Sequence, residues 1–154
     1  MEEQTTGCLV CGAPLEYLPS QIEMECTYCH KTFMSNARCV NGHFICDSCH
    51  EQMGLRVIED ICRHTDSKDP VAIMKKIILS PYIYMHGPEH HVMVGAVLLT
   101  AYHNCGGEID LDEALEEIKQ RGGQYPGGSC GLWGACGAAV STGMFMSILT
   151  KATP

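Results

Sequence analysis

The sequence predicts a mainly α fold: a small β-hairpin module over residues 1–64, followed by an all-α helical domain over residues 65–154. Three observations predict it. Close-set cysteines and histidines crowd residues 8–49, with short extended runs between them. Apolar residues at helical spacing begin at Met53 and recur to the C-terminus. No period-2 alternation stands out after residue 65. A chain of 154 residues, 45% hydrophobic and 18% charged, is globular in composition and long enough for one average domain or two small ones.

Eleven cysteines exceed any packing requirement. The acidic, polar opening Met1–Gln4 has no leader pattern, so a cytoplasmic, reducing setting is expected and the cysteines point to metal rather than to disulfides. The candidate ligands read Cys8-x2-Cys11, Cys26-x2-Cys29 and Cys39-x3-His43-x2-Cys46-x2-Cys49. These suffice for two closed tetrahedral zinc sites. Sequential pairing is the simplest: Cys8, Cys11, Cys26 and Cys29 form a zinc ribbon, and Cys39, His43, Cys46 and Cys49 a second site. A cross-braced pairing, first pair with third and second with fourth, fits the spacing equally, and His30 or His50 could replace a neighbouring cysteine. A rubredoxin-like iron on Cys8, Cys11, Cys26 and Cys29 is the redox-active alternative.

Residues Leu15–Glu25 read as two short extended runs around a Pro19-Ser20 turn, hence a hairpin. After Cys49, Met53, Val57, Ile58, Ile61 and Cys62 form the apolar stripe of a helix that Asp47 can cap. A metal pair at a helix N-terminus resembles the treble-clef zinc finger, with Cys46 and Cys49 as its helix-borne ligands. Zinc knuckles often serve nucleic acids, but the net charge is −8. In residues 1–64 Lys31, Arg38, Arg56 and Arg63 are outnumbered by acids, which excludes a basic nucleic-acid surface. The module is therefore expected to be structural and to present a docking surface for a protein partner.

Asp69 and Pro70 open a short helix over Val71–Leu79. Pro88 opens a longer one, Glu89–Asn104, ended by Gly106-Gly107. Asp110 with Glu113 resembles a capping box, and Gly122-Gly123 is expected to stop the helix that it starts. Gln124–Cys130 is a glycine loop, and a last helix should run from about Gly131 to Thr150. That helix is uncharged to Leu149, about long enough to span a bilayer, but it is rich in small residues and lacks a basic N-terminal flank. A buried central helix or a homodimer seam is the preferred reading, with no membrane span.

The stretch Gly127–Ala139 concentrates glycine and cysteine as core packing does not. Ser129 can cap a helix at Gly131 and set Cys130 at its N-terminus, where free N–H groups favour a thiolate. Helices from Pro88, Asp110 and Gly131 joined by short connections run up, down and up, so the first and third share an end. A site composed of Cys130, Cys136, His86, Glu89 and His90 is expected there, with Gly128, Ser129 and Gly131 bringing backbone close to a cofactor or small-molecule ligand. Cys105 and His103 belong to the far end, about 20 Å away at 1.5 Å per residue.

The motifs Met85-His86-Gly87-Pro88-Glu89-His90-His91 and Gly127-Gly128-Ser129-Cys130-Gly131-Leu132-Trp133-Gly134-Ala135-Cys136-Gly137 resemble the signature of an uncharacterised domain family of anaerobic bacteria and archaea. The resemblance covers roughly residues 39–150. Members of that family occur alone or joined to methyltransferase-like modules, which implies a methyltransferase-like enzyme as one partner and leaves the reaction open. Three functions follow as expectations. The first is thiol redox or metal-dependent chemistry at Cys130, with an iron–sulfur cluster on Cys105, Cys130 and Cys136, or a second metal, as its cofactor variants. The second is a non-catalytic zinc-dependent adaptor. The third is a soft-metal or redox sensor.

Overall fold

A computed structural model describes residues 7–84 and 87–152. The elements are β1 Leu15–Glu25, β2 Thr32–Cys39, α1 Asp47–His64, α2 Pro70–Ile78, α3 His90–Asn104, α4 Leu111–Gln124, α5 Ser129–Trp133 and α6 Gly137–Leu149. The fold is mainly α with an N-terminal β-hairpin module. The chain forms two compact units, 1–53 and 54–154, and the division falls within α1. The sequence had placed its boundary after that helix, at residue 64.

In the first unit β1 and β2 pair antiparallel, from Leu15 opposite Cys39 to Glu25 opposite Thr32. Pro19-Ser20 is not a hairpin turn, as the sequence suggested, but lies where the register shifts between Tyr17 and Ile22 of a single strand. A bulge accommodates a proline that an ordinary ladder position would not. The turn is instead the Cys26–Cys29 segment. There the Cys26 N–H donates to the Lys31 carbonyl (2.9 Å), the His30 N–H to the Cys26 carbonyl (2.9 Å), and His30 takes φ 57°. Cys8–Ala13 repeats this geometry: Cys8 N–H to Ala13 O (2.8 Å), Gly12 N–H to Cys8 O (2.7 Å), and Gly12 at φ 71°.

The second unit is built around α3, whose residues Val92, Met93, Ala96, Val97, Leu99 and Ala101 are buried together with Ile73 and Ile77 of α2 and Ala114, Leu115 and Ile118 of α4. Ile58 and Cys62 of α1 belong to the same core. Asp69 caps α2 by accepting the Val71 N–H (2.9 Å), and Asp110 caps α4 by accepting the Glu113 N–H (3.0 Å). The Gly122-Gly123 pair does not stop α4. Gly122 is buried against Val92 and the His91 carbonyl, so its missing Cβ serves close packing on α3 instead of termination.

The registers fix the helix directions. On α4, Ile118 lies at Gly95 and Gly122 at Val92, an antiparallel pair; on α6, Gly137 lies at His91, Ser141 at Gly95 and Phe145 at Tyr102, a parallel pair. The up-down-up arrangement therefore exists, with α6 as its third helix. The single helix expected from Gly131 to Thr150 is divided, because Gly134 takes φ 69° and Cys136 is extended. Nor is α6 the buried centre, a place taken by α3: Ala138, Ala139, Thr142, Gly143 and Met146 are exposed. Among the described residues no helix is long and apolar enough to cross a membrane.

At the α3–α6 contact, a Cβ on Gly95 would come within 2.6 Å of Ile118 Cδ1 and 2.8 Å of the Ser141 carbonyl oxygen. Gly95→Val is expected to lower unfolding free energy by about 1–3 kcal/mol, read by urea denaturation, as overpacking of a tight core does. Gly143→Ala, where a Cβ meets nothing within 4 Å, should cost nothing comparable.

Candidate functional site

The eight expected ligands fall into two groups of four: Cys8, Cys11, Cys39 and His43, and Cys26, Cys29, Cys46 and Cys49, with the ligand atoms of each group within 4.8 Å of one another. This is the cross-braced pairing, and it replaces the sequential zinc ribbon and the rubredoxin-like set. The reason is the hairpin. Cys8-Cys11 precedes β1 and Cys26-Cys29 follows it, so an eleven-residue strand at about 3.3 Å per residue holds these pairs at opposite ends. Antiparallel pairing returns β2 to the first end, where Cys39 and His43 meet Cys8 and Cys11. The start of α1 then comes back to the turn, where the Thr27 N–H donates to the Phe44 carbonyl (2.8 Å).

The spacing suits a four-coordinate thiophilic metal. Metal–sulfur bonds of about 2.3 Å in a tetrahedron put sulfurs about 3.8 Å apart. Cys11 and Cys39 Sγ are 3.5 Å apart, Cys29 and Cys46 Sγ 3.8 Å, and Cys8 Sγ lies 3.8 Å from His43 Nδ1. Backbone N–H groups orient the sulfurs: Val10 to Cys8 (3.4 Å), Asn41 to Cys39 (3.3 Å) and Cys46 to Cys26 (3.3 Å). The Ala13 N–H, followed by the Asn41 amide, holds the Cys11 thiol down to about 6. Burial pushes Cys26 up, but the N–H groups of Cys29, Cys46 and Tyr28 outweigh it and bring that thiol also to about 6. Both values favour thiolate, the ligating form. His30 stands outside the groups and faces Glu25, Nδ1 to Oε1 at 2.8 Å.

The motif residues of the helical unit are distributed differently. His86 lies outside the described residues. Glu89, the N-cap residue of α3, is wholly buried, whereas His90 is half-buried with Nε2 donating to the Tyr84 carbonyl (2.7 Å). Cys130 and Cys136 are exposed. Among the described residues Glu89, His90, Cys130 and Cys136 do not gather as one set of metal ligands, and neither do Cys105, Cys130 and Cys136. Cys105 sits at the C-cap of α3, the end shared by His103 and a cleft lined by Arg63, Ile109, Asp110, Leu111 and Asp112.

What the fold does bring to the start of α6 is His91. Its ring lies against Gly137, where a Cβ would press on it, and meets Tyr125 edge-on with centroids 4.7 Å apart. Tyr125 in turn donates its hydroxyl to the Ala135 carbonyl (2.9 Å). His91 and Tyr125 are thus the supports of the Cys136 segment. Their sequence signal was weak: one histidine among three, and an aromatic ahead of a glycine loop.

The two thiols sit on neighbouring backbone. The Ala135 N–H donates to the Ser129 carbonyl (3.4 Å), and the next residue of each partner is Cys136 and Cys130. Ser129 does not cap the helix. Its hydroxyl donates to the Pro126 carbonyl (2.6 Å), and the N-cap of α5 is Gly128 at φ 79°. Cys136 is itself the N-cap of α6, and the N–H groups of Ala139 and then Ala138 hold its thiol below the ordinary value. Gly127 and Gly131 border open space.

A model described as a "Family of unknown function (DUF5714)" matches residues 58–154. The chain belongs to this family. In the DUF5714 chain the matched part holds the helical core from Ile58 onward and both histidine and cysteine motifs, while the two Cys/His groups precede it. Comparisons with curated proteins and with solved structures give no match.

Among the described residues 7–53, Met24 is the one buried side chain besides Cys8, Cys26, Cys39, Cys46 and His50, so a metal in the two Cys/His groups would supply what a hydrophobic core does not. Treating the full chain with a chelator at pH 7 is expected to open residues 7–46 to protease while most of the helical circular dichroism persists. Undiminished protease resistance after metal removal would contradict this.

Proposed function

We propose that the protein is a zinc-built metalloprotein whose helical unit performs dithiol–disulfide exchange on a small-molecule disulfide. Zinc is assigned to both Cys/His groups because three cysteines with a histidine, and four cysteines, are its usual closed donor sets. With four protein ligands each, neither leaves a position for chemistry, so the zinc ions serve the fold.

The observation that carries the exchange reading is Cys136: an exposed thiol at the N-cap of α6, with two backbone N–H groups favouring its thiolate. Cys136 Sγ attacks one sulfur of the substrate disulfide. That S–S bond breaks, one half leaves as a thiolate and takes up a proton, and a mixed disulfide remains on Cys136. Cys130, deprotonated by solvent, attacks Cys136 Sγ and expels the second half. The substrate is reduced to two thiols, and the protein is oxidised by the same two electrons to a Cys130–Cys136 disulfide. Left-handed Gly128 and Gly134 bracket the short helix carrying Cys130 and can absorb the change that closes the bond.

With glutathione disulfide as probe, wild type should form the Cys130–Cys136 bond, Cys130→Ser should accumulate glutathione on Cys136, and Cys136→Ser should do neither, all read by mass spectrometry. Equal reactivity of the two serine variants would refute the reading. Because Cys136 is held down, its alkylation by iodoacetamide should rise through a midpoint below that of an ordinary thiol; Cys62, pushed up to about 11 first of all by burial, should stay unmodified at pH 8.

Leu132 and Trp133, 79% and 68% exposed on α5, favour a second reading, an adaptor that docks a protein partner. Under it Leu132→Ala with Trp133→Ala weakens partner retention, and Cys136→Ser leaves retention intact.

A further inference from the structure

We propose that the Glu89 carboxylate is the principal ligand of a cation site beside the N-terminus of α3, taking a hard divalent cation of the Mg2+ or Mn2+ class. Glu89 has 0% exposure, and among the described residues neither carboxylate oxygen has a hydrogen-bond partner. A carboxylate removed from water is normally ion-paired or surrounded by N–H and O–H donors. A cation beside the group would supply the partner that both oxygens lack.

The surroundings suit one. The carboxylate lies directly over Gly87, where a Cβ would collide with both of its oxygens. A Cβ on Gly54 would come within 3.2 Å of both Glu89 Cγ and the Tyr82 carbonyl oxygen, so that carbonyl shares this crowded corner with Glu89. Gly87 thus makes room for the carboxylate itself and Gly54 for its Cγ, with the Tyr82 carbonyl oxygen beside that stem. His90, next along the chain, donates from Nε2 to the Tyr84 carbonyl, which leaves Nδ1 as the nitrogen that could face a metal. Carboxylate and carbonyl oxygens select hard cations, unlike the thiolate groups at residues 8–49. The site is independent of the dithiol reading and of Cys136.

The test is Mn2+ binding to the zinc-loaded full chain, read as the loss of the free Mn2+ signal in electron paramagnetic resonance. Wild type should give a saturable single-site isotherm that Mg2+ displaces. Glu89→Gln should weaken it by at least about tenfold, and so should Gly87→Ala, whose added Cβ displaces the carboxylate. Cys136→Ser should bind as wild type does. If Glu89→Gln does not fold, wild type and Gly87→Ala decide. Absence of a saturable site in wild type overturns the proposal, as does a site that folded Glu89→Gln or Gly87→Ala leaves unchanged.

Discussion

The close contact of α3 with α6 is the constraint on which the helical unit depends. Its centre is the hydrogen bond from the Gly95 N–H to Ser141 Oγ, 2.8 Å long and buried. A buried hydroxyl needs a partner, and only a residue without a Cβ lets the α3 backbone supply one at this distance. Once Gly95 and Ser141 are in register, parallel packing places Gly137 under His91 and so fixes the first turn of α6 beside the first turn of α3. The thiol at the N-cap of α6 is therefore positioned by a glycine–serine contact more than one helical turn away, together with the contacts of His91 and Tyr125 on either side of it.

The hairpin unit is governed differently. Among the described residues, four of its six buried side chains are candidate ligands, so apolar burial is too small to order the chain, and the two Cys/His groups stand where a core would. Strand length then decides which ligands can meet. Both knuckles use a left-handed residue four positions after their first cysteine, Gly12 in one and His30 in the other. His30 holds a conformation that glycine adopts without strain, and its ring, paired with Glu25, lies outside the metal groups.

Much of this could be read from the residues. Ligand identity, the caps at Asp69 and Asp110, the short connections and the parallel first and third helices follow from local chemistry and chain length. The pairing of the ligands did not, because Cys-x2-Cys spacing is the same in either scheme and only the hairpin distinguishes them. Gly122 and Gly134 show why helix ends were misjudged. A glycine at the end of a periodic run reads as a stop, yet Gly122 is needed for contact with Val92 and α4 continues through it; Gly134, inside an uncharged run, is the actual break. Whether a glycine provides φ freedom or close approach depends on a neighbour distant in sequence. The same limit hid the division between Glu89, which faces Gly54 and Gly87, and His91, which faces Gly137: residues two apart on a helix point in different directions.

Environment divides the cysteines by what each can do. Seven belong to the coordination groups, and Cys62 is packed in the core beside Ile58. Of the three others, all exposed, Cys105 sits at the carbonyl end of α3, where the helix offers sulfur no N–H groups and the dipole opposes negative charge. Cys136 sits at the amide end of α6, where the N–H groups of Ala139 and Ala138 hold its thiol below the ordinary value without forming a cap hydrogen bond. Since α3 and α6 are parallel, these two thiols lie at opposite ends of one helix pair, and Cys105 cannot serve as the partner of Cys136. Cys130 can, because the hydrogen bond between Ser129 and Ala135 holds its backbone next to that of Cys136. Any two-thiol chemistry of the helical unit is confined by its topology to Cys130 and Cys136.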